Sequence, residues 1–406
     1  MFYKLLIYIV FAFCLLACSP AEVMYRQNVN YIYAPETTIN YDLRTEGDSL
    51  HVYLKFADKN LFTDLSSQVT QLHYLFSLNY ERKEVTERDT VANFRRKVQI
   101  YADFAVADFK VKVPVNPRPA VLQLKLIPHK DDDEVIWIDI SLTPGNLNRP
   151  FILTDSAAIP LFRNHVNVAE AFWVEAVNNQ EDVQIKKYEA TFPAAAPPFS
   201  RLPKNVASEL ALIKSYRVAP EEPVQLPEEG LYMLTLGNAS LSVVAEGNAY
   251  PELTTAKELI EPLLYITSAK ERTELYAATE TKRALDQFWL KAASQDKAQA
   301  KQLIKTYYAR VKEANEFFNS HKAGWLTDRG MIYIVFGKPT SVNRNQEVEE
   351  WTYSGMRTGG GVLKFIFIKK PNTFTQNHYE LIRRPEYEFV WYSTVEKWRK
   401  GMIQGE

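Results

Sequence analysis

The chain has 406 residues, 46% hydrophobic and 13% aromatic, with a formal net charge of −1. Its 48 basic and 49 acidic residues nearly cancel, so there is no basic field for nucleic acid and that partner is excluded. The length predicts about two to three domains, and the apolar content is enough to build real hydrophobic cores.

One lysine, Lys4, precedes an unbroken apolar run from Leu5 to Ala17. A membrane-spanning helix needs about 20 apolar residues. This run is shorter and ends in a small residue, as a secretory signal does. Leu15-Leu16-Ala17-Cys18 resembles the lipobox of bacterial lipoproteins. The resemblance implies a signal peptide over 1–17, cleavage before Cys18, lipid on Cys18 and a tether over 18–27 that attaches the chain to a membrane. The other cysteine, Cys14, leaves with the signal. The mature chain then has no disulfide, no thiol nucleophile and no Cys-ligated metal. Ser19-Pro20-Ala21-Glu22 lacks the clustered acids of the surface-export signal known for Bacteroidetes lipoproteins, which favours the periplasmic face of the outer membrane.

After the tether the chain reads as β. Leu50 to Ala57 alternates Val52, Leu54 and Phe56 against His51, Tyr53 and Lys55; Tyr74, Phe76, Leu78 and Tyr80 alternate likewise. Val121 to Ile127 and Val135 to Leu142 flank the charged turn Pro128 to Glu134. This periodicity of two, punctuated by turns, predicts an antiparallel β-sandwich-like domain over 28–142. Residues 143–150, rich in Pro, Gly and Asn, form a linker. A second β-rich domain over 151–250 has candidate strands Ala171 to Val177, Val183 to Phe192, Leu231 to Leu236 and Leu241 to Ala245, with a tight turn at Gly237-Asn238. Pro193 to Pro203 is a long loop inside that domain or an extended linker.

Helical spacing takes over in the final segment, 251–406. Glu258 to Ile266, Thr279 to Ala293 and Asp296 to Asn319 each carry apolar residues three and four apart, and Asp296 is a candidate N-cap. Gly324-Trp325-Leu326-Thr327-Asp328 follows, continued by Arg329-Gly330, an expected strand Met331 to Phe336, Gly337-Lys338-Pro339 and Trp351-Thr352-Tyr353. Upstream stand Arg310-Val311, Ala314-Asn315 and Phe318. Together, over about Thr279 to Arg384, these resemble the GWxTD-domain family, found in envelope proteins of Bacteroidetes and related bacteria. The resemblance implies family-motif positions at Gly324, Trp325, Thr327, Asp328, Arg329, Gly330, Gly337, Pro339, Trp351 and Tyr353, and it implies no particular reaction.

Physically, Gly324 is expected to end the preceding helix at Asn319–His321 with a left-handed or open turn. Thr327 and Asp328 bond backbone amides, and Arg329 pairs with Asp328 or with a carboxylate across the sheet. Strands at Trp351–Tyr353, Val362–Ile368 and Tyr379–Ile382 complete a small antiparallel sheet against helices. The fold class expected is therefore multidomain: two N-terminal antiparallel β-sandwich-like domains, then a C-terminal α+β domain.

Catalytic patterns are sparse. The six histidines show no metal-ligand spacing, and there is neither H-E-x-x-H nor G-x-S-x-G. Asp131 to Glu134 lacks the ligand order of an EF-hand, and Gly359 to Gly361 lacks the Lys-Ser/Thr of a P-loop. No cofactor, metal or catalytic residue is assigned. Asp89-Thr90-Val91 and Asp155-Ser156-Ala157 resemble the O-glycosylation tripeptide of Bacteroidetes periplasmic proteins, marking Thr90 and Ser156 as candidate acceptors. The functional expectation is a non-catalytic, outer-membrane-anchored lipoprotein that serves as an interaction or scaffold component of the envelope, with other envelope proteins as partners. The alternative is an envelope glycan-binding protein or hydrolase with its site near Asp328 and Arg329.

Overall fold

A computed structural model of the chain describes residues 24–67, 69–128, 135–177, 180–201, 210–247, 249–358 and 361–403. The export segment with Cys18, the acidic turn Asp131 to Glu134, and Gly359 and Gly360 lie outside the described residues. Among the described residues no helix is long and apolar enough to cross a membrane.

The alternating segments of the first half form two four-stranded antiparallel sheets. One runs in the order Ile39–Glu46, Ser49–Phe56, Ala105–Lys112, Val98–Ile100. The other runs Val85–Thr90, Gln71–Ser77, Val121–Ile127, Ile136–Ser141. Their facing residues, including Val52, Leu54 and Phe56 from one and Tyr74, Phe76, Leu124 and Ile138 from the other, share a single core. This is the sandwich that the two-residue period demands: one face of each strand is apolar, and only a second sheet can cover it.

The turn-rich linker region contains one helical turn. Thr143 caps a short helix, Pro144–Leu147, through a reciprocal box with Asn146. The second β region then builds a three-stranded sheet from Phe151–Thr154, Ala171–Ala176 and Val224–Gln225. Opposite it lies a five-stranded sheet ordered His165–Asn167, Ala239–Glu246, Gly230–Leu236, Val183–Tyr188, Leu212–Val218. The turn between Leu236 and Ala239 takes a positive φ of 56° at Gly237, as a two-residue hairpin requires. The Pro/Ala stretch does not stay inside this sandwich. Ala195 is buried in the C-terminal core, and its amide donates to the Leu326 carbonyl at 3.1 Å.

The C-terminal domain opens with the short capped helix Ala256–Ile260, then Ala269–Ala277, Thr281–Ala292 and the long helix Lys297–Phe318. Asp296 caps the long helix by accepting from the amides of Ala298 and Gln299. The sheet that follows has five strands, ordered Tyr25–Gln27, Ser341–Arg344, Val348–Thr358, Gly361–Lys369 and Tyr379–Leu381. The helix Tyr387–Arg399 closes the domain.

Two features depart from the sequence expectation. The apolar run from Met331 to Phe336 is not a strand but the body of a helix, Asp328–Phe336. A short run apolar on every side has no period to separate strand from helix. Here every residue from Arg329 to Phe336 is buried, because the long helix, the sheet and the last helix surround it. The cap decides: the Thr327 hydroxyl accepts from the Gly330 amide, and Gly337, at φ 82°, ends the helix.

The second departure concerns the tether. Residues 25–27 are not a free spacer but the edge strand of the C-terminal sheet, antiparallel to Val342–Arg344. Gln27 also donates to Asp139 of the first sandwich at 3.0 Å, so this strand sits between the first and last parts of the fold. A chain beginning at Asn28 is therefore expected to melt at a lower temperature than one beginning at Cys18, as measured by circular dichroism.

Candidate functional site

The motif residues meet where the long helix turns back into the sheet. Asn315 has no solvent exposure. Its side chain donates to the Pro251 carbonyl at 3.0 Å and accepts from the Trp325 amide at 3.0 Å. Gly324 belongs to a single 3-10 turn, Gly324–Leu326. Gly324 does not take the left-handed conformation; the long helix ends at Phe318, and Gly324 serves close approach. A Cβ built there would lie 1.8 Å from the Ala314 carbonyl oxygen. Gly330 repeats the arrangement one layer further on, where a Cβ would lie 2.0 Å from the Gly324 carbonyl oxygen. Three backbone segments thus stack with no side chain between them.

The polar motif residues secure that stack. The Thr327 hydroxyl donates to the Gly324 carbonyl at 2.7 Å while it caps the helix. Both Asp328 oxygens are engaged. Oδ2 accepts from the Leu381 amide at 2.7 Å and Arg383 Nη1 at 3.0 Å, and Oδ1 accepts from Arg383 Nη2 at 2.5 Å. Arg383 also donates to the Ala196 carbonyl, which ties the Pro/Ala stretch to the motif. Trp325 is buried, with its carbonyl accepting from the Tyr265 hydroxyl at 2.8 Å.

Of the two partners expected for Arg329, the carboxylate across the sheet is the one present. Its Nη1 lies 3.6 Å from Glu349, its Nη2 donates to Asn377, and its guanidinium stacks 4.1 Å over the Tyr379 ring. Glu349 has no solvent exposure. It accepts from the Tyr33 hydroxyl at 2.5 Å, Trp351 Nε1 at 2.7 Å, and Arg344 Nε and Nη2 at 3.1 and 2.9 Å. Burial alone would push this carboxyl up. Arg344 and then Arg329, with the Tyr33 and Trp351 hydrogen bonds, outweigh it and hold the group down at about 2. The same burial, with the negative charge of Glu349, raises the Tyr33 hydroxyl.

The remaining motif positions complete the packing. Trp351 and Tyr353 are buried on one face of their strand, and the Tyr353 hydroxyl donates to the Gly337 carbonyl at 2.8 Å. Pro339 is buried just past the helix end. Thr90 is exposed at the end of its strand, where its hydroxyl lies 2.7 Å from His73, and Ser156 is exposed in a turn. No group of three or more potential metal ligands occurs among the described residues.

Residues 230–400 match the family model of the GWxTD domain. That stretch of the chain is similar to the GWxTD domain. The match starts at Gly230, earlier than the motifs alone indicate, and so takes in the last hairpin of the second sandwich, Gly230–Glu246. No curated protein matches the sequence.

Glu349, Arg344, Arg383 and Tyr33 are site residues that motif reading missed. A signal for Glu349 exists. Residues 349, 351 and 353 alternate onto one face of a strand, so a strand that buries Trp351 and Tyr353 buries Glu349 too. No comparable signal exists for Tyr33, which lies 316 residues away in sequence.

Gly324→Ala is expected to destabilise the GWxTD domain by at least about 3 kcal/mol in denaturant titration, since the blocking atom is backbone. Glu349→Gln leaves two guanidinium groups facing a neutral amide, with an expected loss of about 3–5 kcal/mol at neutral pH. Because the folded carboxyl titrates below its ordinary 4.5, its stabilisation is complete above that pH and is lost as pH falls toward about 2. The stability gap between wild type and Glu349→Gln should accordingly narrow below pH 4.5.

Proposed function

We propose that the protein is a non-catalytic lipoprotein of the outer membrane that acts as an interaction or scaffold component of the cell envelope. Lipid on Cys18 holds it at the membrane, facing the periplasm, and its partners are other envelope proteins. The observation that carries this reading is on the last helix of the GWxTD domain. Phe389 and Tyr392, three residues apart, are 82% and 55% exposed, and Phe199 lies against the Tyr392 ring. Large aromatic side chains grouped on one helix face are the kind of surface that protein partners cover. Asp328, the carboxylate nearest a catalytic reading, has both oxygens committed to Arg383 and a backbone amide.

Crosslinking and pull-down from detergent-solubilised envelopes test the proposal. Wild type should recover a defined partner protein, and the double variant Phe389→Ser, Tyr392→Ser should recover about tenfold less of it. Both side chains are exposed, so the variant should keep its melting temperature. Repeated recovery of the chain alone, or equal recovery with the variant, would overturn the reading.

A further inference from the structure

The two sandwiches and the GWxTD sheet meet around a cleft of about 510 Å³, within the size range of small-molecule sites. Its floor is the GWxTD sheet at Arg344, Lys369 and Tyr379, beside Arg329 of the motif helix. Its walls are Tyr41 and Tyr80 of the first sandwich, His165 of the second, and Asn319 at the end of the long helix.

The charges on that floor do not balance. Arg329 and Arg344 share one carboxylate, Glu349. Lys369 adds a third cation, and its amine makes no ion pair or side-chain hydrogen bond with the described residues. Burial lowers its affinity for a proton, and the charges of Arg344 and Arg329 lower it further. Two acids on the walls are already matched, Asp42 by Arg149 and Asp139 by Arg82, while burial raises the carboxyl of Glu316 and so favours its neutral form. Arg344 commits Nε and Nη2 to Glu349, which leaves its third nitrogen, Nη1, outside that pair.

The polar groups around the cations are also incompletely used. Asn319 is 4% exposed, yet neither its amide nitrogen nor its amide oxygen has a partner. A buried amide in that state is costly until something bonds to it. Tyr41, Tyr80 and Tyr379 line the cleft together with Arg344. Guanidinium, ammonium and phenol are the donors that hold oxyanions, and phenol rings offer flat faces to a sugar-sized ring.

We propose that this cleft binds a small ligand bearing a carboxylate or a phosphate on a polar ring, with the oxyanion on Lys369 and Arg344 and the ring among Tyr41, Tyr80 and Tyr379. An acidic sugar fits that chemistry. The site is independent of the exposed aromatic pair on the last helix, so binding here and partner recovery there succeed or fail separately.

Isothermal titration calorimetry of the full chain in detergent tests it, with glucuronate, glucose 6-phosphate and glucose as titrants. At least one acid should bind at one site per chain, while glucose binds at least about tenfold more weakly. Which acid binds identifies whether the oxyanion is a carboxylate or a phosphate. Lys369→Glu should weaken that binding by at least about tenfold. Should that variant fail to fold, Lys369→Gln makes the same comparison without adding a negative charge, and a loss of at least about threefold is expected. The proposal is overturned if neither acid binds, if glucose binds as well as the acids, or if a folded Lys369 variant binds with wild-type affinity.

Discussion

A carboxylate with no access to water must be surrounded by donors, and at Glu349 those donors come from separate parts of the chain. Tyr33 arrives from the segment after the first strand, Arg329 from the motif helix, and Arg344 and Trp351 from the sheet. Each brings its own element into place, because a group that failed to arrive would leave a buried charge short of a partner. Buried ionic groups are weak devices for stability taken alone, since their desolvation offsets most of their attraction. What this cluster supplies is registration. It fixes which strand of the sheet faces the motif helix and which part of the N-terminal segment covers both.

The GWxTD motif belongs to the same logic of close approach. Its two glycines let three stretches of backbone touch at Ala314, Gly324 and Gly330. Its threonine caps a helix whose other surfaces are apolar and enclosed. Its aspartate fixes Arg383 and the amide of Leu381, so the last strand is held to the helix by a carboxylate rather than by packing alone. The tryptophan fills the space beneath, next to Tyr265. The motif therefore encodes a joint between a long helix and a sheet.

Much of this was legible in the residues, and the illegible parts have a common cause. Both sandwiches follow from alternation, since Val52, Leu54 and Phe56 can share a core only if the strand is extended. The long helix follows from spacing and from Asp296. Met331 to Phe336 reads as a strand in sequence yet folds as a helix, because a segment buried on all sides carries no periodic signal. The cap at Thr327, three residues before Gly330, was the better guide. Ala195, Tyr33 and the strand Tyr25–Gln27 join the GWxTD core from far upstream, and no local pattern encodes a contact of that range. The cleft between domains was invisible for the same reason: Tyr41, Lys369 and Asn319 are each unremarkable within their own segments.

The edge strand Tyr25–Gln27 sets an order of assembly. A chain is made N-terminus first, and both sandwiches draw all their strands from residues before 247, so each can close while the rest is still being made. The strand nearest the start has no such freedom. Its partner, Val342–Arg344, lies near the other end of the molecule, and Tyr33 waits likewise for Glu349. Loop closure over that distance grows only slowly in cost with length, so the delay is one of availability rather than of energy. The first described residues to emerge can therefore pair only after Val342–Arg344 has been made.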